Sequence, residues 1–481
     1  MPKPFGQLLR TPNNYYFYDP NTNQTFPISR QVYSYIETLM RETSDGLSES
    51  SEIQHLREDG ILPMESVVKK IQHPYSKYLG LLLNRRLHGI ILQTTQNCNL
   101  RCKYCIYSES KNVAQRSHSA KSMSWETAKH AIDFLWERSV DNDSVSIGFY
   151  GGEPLLKFDL IKDVVAYSKT RLAGKDVRYH ITSNGTLLTD EITGYLQKNN
   201  INLMISIDGP QEIHDKNRVF AGGGGTYETV MQNIERLKQI APEYFKTIRF
   251  SMVIDPTNDF DCINSISLGA DTITRENLMP SLVDKEFDDE VVIASEEYLQ
   301  KYEYHAFLAY LSYINRYPKE KVSPISYQSL INKMGKAIKM QDSPILQPMA
   351  SPGGPCIPGQ LRLFCNITGD LFPCERVSEK SPAMRIGNLD EGFYVDKALQ
   401  LLNIGQLGQE KCKKCWSFRY CTVCAKKADN NELALSEKRK FSCCADSRAA
   451  ANLQLQDLLF LREIGEYYPD QIRTQRERCD N

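Results

Sequence analysis

The chain has 481 residues, 41% of them apolar and 24% charged, enough to bury the cores of about three domains. A formal net charge of −1 provides no global field for nucleic acid or a membrane surface, and no apolar run reaches the roughly 20 residues that span a bilayer. The segment Met1–Gly6 lacks the apolar centre of a signal peptide, so the expected location is the cytoplasm, where fourteen cysteines argue for metal ligation over disulfides.

Residues 1–85 read as a separate unit. Asn14–Tyr18 and Gln24–Pro27 flank the turn-rich segment Asp19–Asn23 and predict a β-hairpin. Ser29 can cap a helix carrying Val32, Ile36, Leu39 and Met40 at helical spacing. Shorter helices are expected near 50–58 and 64–72, completing a winged-helix-like arrangement. From about residue 88, strands at 89–94, 145–150, 177–183, 202–207 and 247–254, with a weaker one near 272–278, alternate with helices. Those helices are expected at 124–138, 157–171, 189–199 and 226–240, with Ser124 and Thr189 as N-caps. Such alternation predicts an α/β fold on a parallel sheet, open or barrel-like, over 86–320. Chemistry then belongs at the carboxyl ends of the strands. Residues 256–290 have weak periodicity and an acidic stretch at Asp284–Glu290, a helix is expected over 293–315, and 321–355 reads as a linker. A cysteine-rich unit (356–445) and a helical tail (446–481) follow.

The loop after the first of these strands carries Cys98, Cys102 and Cys105 in the spacing Cys-x3-Cys-x2-Cys. Three thiolates on a short loop can hold three corners of a cubane cluster and leave the fourth iron open. A zinc knuckle is the competing reading. The second strand ends in Gly151-Gly152-Glu153-Pro154, where glycines allow close backbone approach, the third in Thr182-Ser183-Asn184-Gly185-Thr186, and the fourth in Ser206-Ile207-Asp208-Gly209-Pro210, with Arg218 beyond. Gly222–Gly225 is a flexible loop, with no Lys-Ser/Thr to make it a phosphate cradle.

These four motifs, at successive strand ends, resemble the radical SAM superfamily. The resemblance implies a partial (β/α)6 barrel and a [4Fe-4S] cluster on Cys98, Cys102 and Cys105. It also implies S-adenosylmethionine on the open iron, near Tyr104, and a 5′-deoxyadenosyl radical that abstracts hydrogen. Gly151, Gly152, Glu153 and Pro154 would take the methionine amino group. Ser183, Asn184, Ser206, Asp208 and Arg218 would serve the ribose and the carboxylate. The later run Cys356-x12-Gly369-x4-Cys374 … Cys412-x2-Cys415-x5-Cys421-x2-Cys424 … Cys443-Cys444 resembles the SPASM extension, with one departure: its last gap is two residues, not three. That resemblance implies two auxiliary [4Fe-4S] clusters, three in all. One would be held by Cys356, Cys365, Cys374 and Cys424, the other by Cys412, Cys415, Cys421 and Cys443, with Cys444 as the alternative. Paired structural zinc sites are the competing ligation. Cys262 and Cys479 are spare thiols. Glu375, next to Cys374, could act as a general base, although a solvated loop carboxylate is the plainer reading.

A hairpin-and-helix unit ahead of such a core resembles the leader-recognition element of ribosomal-peptide maturases, which binds peptide as an added strand on its sheet edge. The expectation is therefore a radical SAM/SPASM enzyme that crosslinks a precursor peptide through a Cys thioether. Its electrons would come from a small flavodoxin- or ferredoxin-type protein. A carbon–carbon crosslink, formylglycine formation in a sulfatase, and a non-catalytic zinc-bound peptide binder are the alternatives.

Overall fold

The computed structural model describes residues 3–41, 50–107, 118–267, 272–274, 277–283, 293–341 and 345–467. The acidic stretch at Asp284–Glu290 and Cys479 lie outside them. Strands β1 (Gln7–Arg10), β2 (Tyr15–Asp19) and β3 (Gln24–Ile28) form an antiparallel sheet in that order. The expected hairpin is β2–β3, and β1 is an addition to it. The turn closes because the Asp19 carboxylate accepts from the Asn21 N–H (2.8 Å) and the Thr22 hydroxyl (2.6 Å). Ser29 caps α1 (Arg30–Arg41) by accepting from the Val32 N–H at 3.2 Å. Leu8 and Phe17 of the sheet pack on Val32 and Ile36 of α1 and on Ile53 of α2 (Ser51–Glu58).

The helix expected at 64–72 does not form. Lys70–Ile71 is instead a short strand, β4, paired in parallel with β11 (Met349–Ala350), a tertiary contact that overrides the local pattern. Helix α3 (Leu79–Arg85) then delivers Leu79 and Leu83 to the main core.

The central sheet carries β5 (Gly89–Thr95), β6 (Ser144–Gly151), β7 (Asp176–Ser183), β8 (Ile201–Ser206), β9 (Arg249–Ile254) and β10 (Leu278–Leu282). All neighbours among these six are parallel, in the order β10-β9-β8-β7-β6-β5. Helices α4 (Trp125–Arg138), α5 (Phe158–Arg171), α6 (Asp190–Lys198), α7 (Gln211–Asn217), α8 (Tyr227–Ile240), α9 (Pro242–Phe245) and α10 (Phe260–Ser265) connect them. β5 is buried along its whole length, as the continuous apolar run Gly89–Leu92 requires of a central parallel strand. Ser124 and Thr189 cap α4 and α6 as expected.

Helix α11 (Glu296–Tyr313) packs on α12 (Pro324–Gln341), an 18-residue helix inside the span expected to be a linker. Its start is readable: Ser323 accepts from the Ser326 N–H at 3.2 Å, and Pro324 occupies the first helical position. The sheet also continues past β5. β12 (Leu363–Cys365) pairs with β5 in parallel and with β13 (Asp370–Phe372) in antiparallel, followed by β14 (Gly387–Asn388) and β15 (Gly392–Phe393). The cysteine-rich unit is thus built onto the parallel sheet. Helices α13 (Val395–Leu402), α14 (Gln409–Lys413), α15 (Glu437–Ser442) and α16 (Cys444–Tyr467) complete the described chain. No helix among the described residues is long and apolar enough to cross a membrane.

Candidate functional site

The site forms where β5–β8 end. The chain leaves β5 at Thr95 and enters the loop of Cys98, Cys102 and Cys105. Backbone N–H groups of Leu100 and Tyr107 donate to Cys98 Sγ (3.4 Å) and Cys105 Sγ (3.5 Å), and Asn184 Nδ2 points at Cys98 Sγ from 3.9 Å. Burial pushes the Cys98 thiol up to about 11 and the Cys102 thiol up to about 12. Without metal Cys98 and Cys102 are therefore thiols at neutral pH, and iron must displace their protons to bind. Among the described residues no three His, Cys, Asp or Glu side chains are gathered to hold a single metal ion. A cubane distributes its thiolates over separate irons, so a loop with donors aimed at its sulfurs suits that group.

The end of β6 is locked under this loop. A Cβ on Gly151 would stand 2.2 Å from the Thr95 carbonyl oxygen, and one on Gly152 would stand 2.1 Å from that of Asn97. Gly152 is needed because the cysteine loop crosses the strand end, and Gly151 because the end of β5 lies against it. Glu153 is fully buried. Its carboxylate accepts from the Leu155 N–H (3.0 Å), the Ser183 hydroxyl (2.9 Å) and the Asn184 N–H (2.7 Å), tying β6 to the end of β7. Burial still pushes Glu153 up to about 7 despite those three donors. Ser183 is thus committed to Glu153, while Asn184 reaches Asn99 Oδ1 (2.9 Å) and the cysteine loop.

Beyond β8, Asp208 is completely buried and paired with Arg218 (2.9 Å). Asp208 also accepts from the Tyr104 hydroxyl and, at 3.1 Å, from the Val253 N–H. Asp208 therefore positions Arg218 and Tyr104. Arg218 lies 5.6 Å over the Tyr104 ring and directs a guanidinium nitrogen to Cys102 Sγ at 4.0 Å. Ser206, the last residue of β8, pairs with Ser251 of β9. His214, missed as a site residue in the sequence, braces this set by accepting the Asp208 N–H at Nδ1 (3.3 Å) and meeting Thr226 Oγ1 through Nε2 (3.0 Å). Its signal was its place one helical turn before Arg218.

Residues 92–268 match the family model described as the radical SAM superfamily. That match runs from within β5 to just past α10, under half of the chain. The chain is 34% identical over 156 residues to the serine-type anaerobic sulfatase-maturating enzyme of Bacteroides thetaiotaomicron, covering 31% of this chain and 35% of that protein. It is 29% identical over 175 residues to the radical SAM cyclopropyl synthase TigE of Paramaledivibacter caminithermalis, covering 35% of this chain and 36% of that protein. The matches thus span about a third of the length of these curated relatives. The solved structure of native anSMEcpe with bound AdoMet and Kp18Cys peptide superposes with a TM-score of 0.53 at 19% identity, covering 76% of this chain and 99% of that one. It shares the fold.

The cysteines beyond residue 268 fall near one another in two groups. Cys356 senses the thiols of Cys374 and Cys424, which marks these three as neighbours. Cys365 is the fourth ligand expected there. It sits fully buried in β12, between β5 and β13, with its sulfur toward the Asn366 carbonyl (3.6 Å) and Asp370 as its charged neighbour. The second group lines a cavity of about 240 Å³: Cys412, Cys415, Cys421 and Cys444. Cys444 lies in that lining and Cys443 does not, although each directs its sulfur to the carbonyl four residues back, Lys440 at 3.7 Å and Arg439 at 3.6 Å. Glu375 is buried and gripped by Arg362, whose Nε donates at 3.1 Å and whose second nitrogen bonds the other oxygen. It is a paired carboxylate, not the solvated one that was the plainer reading. Cys262 donates to Glu212 at 3.3 Å, away from both groups.

Proposed function

We propose that this chain is a peptide-modifying radical SAM enzyme that takes a hydrogen atom from a ribosomally made precursor peptide and closes a Cys thioether, with the thiol proton going to a base and the remaining electron to an auxiliary cluster that would be bound beside the site. A [4Fe-4S] cluster on Cys98, Cys102 and Cys105, with S-adenosylmethionine, would supply the 5′-deoxyadenosyl radical when bound. Around it, Glu153 holds two strand ends together and Asn184 fixes the loop. Arg218, oriented by Asp208, presents a cation suited to a carboxylate. Glu375, held by Arg362, is the proposed acceptor of the substrate thiol proton. Cys356, Cys374 and Cys424, and the four thiols of the cavity, are the proposed ligands of two auxiliary clusters.

The observation that carries the peptide reading is the N-terminal sheet. Among the described strands, β3 pairs with β2 alone, leaving one edge for an added strand. Pro27 has no N–H, so its pair with Tyr16 is a non-hydrogen-bonded one; by alternation, Thr25 points its N–H outward. Thr25→Pro should then remove one edge donor without breaking the β2–β3 ladder. The expected result is at least tenfold weaker binding of a leader-bearing peptide by fluorescence anisotropy and loss of the product lacking two hydrogens. Cleavage of S-adenosylmethionine without peptide should persist. Unchanged peptide affinity and turnover would remove the leader role. Formylglycine formation, favoured by the sulfatase-maturating relative, then becomes the reading to test with a Cys- or Ser-bearing sulfatase peptide.

A further inference from the structure

Lys440 is an unusual residue to find buried. It is 3% exposed, on α15, and its ammonium donates to the Leu407 carbonyl and, at 3.2 Å, to Cys412 Sγ. Among the described residues it makes no ion pair with a carboxylate, and its contact with Cys412 Sγ is shorter than that of Arg218 with Cys102 Sγ, 4.0 Å. Taken out of water, this ammonium has a carbonyl, a cysteine sulfur and the Phe441 ring at 5.4 Å as neighbours, none of them a carboxylate. Negative charge held in the cavity would supply the counter-ion that its protein neighbours lack. Lys411 and Arg448 line the same cavity, so its rim is cationic as well.

We infer that Lys440 is a built-in counter-charge that makes the cluster held by Cys412, Cys415, Cys421 and Cys444 easier to reduce, and that Cys444 is the closing ligand. This rests on the reading that the cavity is a cluster site. Adding an electron to a thiolate-bound cluster makes it more negative. A hydrogen bond to a ligand sulfur and a cation at short range both stabilise that form. Burial strengthens the effect because water screens it poorly. At the Cys98 loop the corresponding cation, Arg218, is already paired with Asp208 and stands farther from its sulfur, at 4.0 Å. The two cluster environments are therefore tuned differently by this chain's own residues.

The test is a potentiometric titration of the iron-reconstituted holoprotein, followed by electron paramagnetic resonance. In Lys440→Met one of the midpoints should move to more negative potential while the others stay, with iron content unchanged. Lys440→Arg, which keeps the charge, should remain near the wild type. Should Lys440→Met fail to fold, Arg448→Gln at the exposed rim should show a smaller shift in the same direction. If neither charge-removing variant moves a midpoint, the counter-charge role is overturned. Ligation is read separately from iron content: Cys412→Ala and Cys444→Ala should each lower it from about twelve to about eight per chain, and Cys443→Ala should not. Loss with Cys443→Ala but not Cys444→Ala would overturn the ligand assignment. Full iron in Cys412→Ala would sink the cluster reading of the cavity itself.

Discussion

At the scale of single residues, the site is organised by buried polar groups with fixed hydrogen-bond roles. His214 shows how narrow such a role is. Its Nδ1 accepts a backbone N–H, so its one proton must sit on Nε2, facing Thr226. A second proton would have to evict the Asp208 N–H, and burial, with Arg218 close by, pushes the ring down to about 4. The unfolded ring titrates near 6.5, so the unfolded chain gains a proton that the folded one refuses as pH falls through that window. Stability from this residue is full above about 6.5 and lost progressively toward about 4, by up to about 3 kcal/mol. His180, also pushed down to about 4 by burial, acts in the same direction, while Glu153, pushed up to about 7, opposes both. Urea midpoints at pH 5 and 7 should therefore move less apart in His214→Asn than in the wild type. An identical pH dependence would show that the ring is not the titrating group. The sequence displayed Asp208 and Arg218 as a motif, but not their mutual bond, because partners ten residues apart meet only once α7 has formed.

At the scale of elements, the strand ends were legible and the crossings between them were not. Apolar runs bounded by turns marked five of the six parallel strands within two residues. The sixth, β10, runs Leu278–Leu282, starting at the residue where the weak pattern ended. Local pattern failed where pairing is remote, as in β4 with β11 and β12 with β5. It missed α12 although Ser323-Pro324 signals a helix start, since the prolines at 344 and 348 drew the whole span into a linker. The Gly152 crossing carries a prediction at this scale. In Gly152→Ala the new methyl meets the Asn97 carbonyl oxygen at 2.1 Å and Cys98 Cβ at 3.1 Å, both on the cysteine loop. The loop must yield, because the β5–β6 ladder beneath it is fixed. The fold should survive with a loss of about 1–3 kcal/mol, and iron should fall by about four per chain. Full iron content with an unchanged melting temperature would show that the loop has slack.

At the scale of the whole molecule, the two ends of the chain hold each other. One face of the N-terminal sheet packs on α1 and α2. The other carries Leu9 and Tyr18 onto Tyr420 and onto Ala451, Leu455 and Leu459 of α16. Arg419 of the cysteine-rich unit is buried and donates to the Pro20 (2.8 Å) and Asn21 (2.9 Å) carbonyls. A unit that reads in sequence as separable is thus fastened beside the second cysteine group, and removing residues 1–85 would also take Leu79 and Leu83 from the main core. Deletion would confuse recognition with folding, which is why an edge substitution tests the leader role better. Glu463 makes the fastening measurable. One of its oxygens accepts from Thr11 Oγ1 (2.6 Å), Asn14 Nδ2 (2.9 Å) and the Tyr16 hydroxyl (2.6 Å), joining the β1–β2 turn to α16. In Glu463→Ala those donors lose their shared acceptor, at about 1–3 kcal/mol. That cost falls on the contact between N-terminal sheet and α16, since Glu463 touches neither cysteine group. Limited proteolysis should then release the N-terminal unit several-fold faster than in the wild type, while iron content stays the same. Equal cleavage rates would mean that the apolar contacts of Leu9 and Tyr18 with α16 hold the two ends together without it.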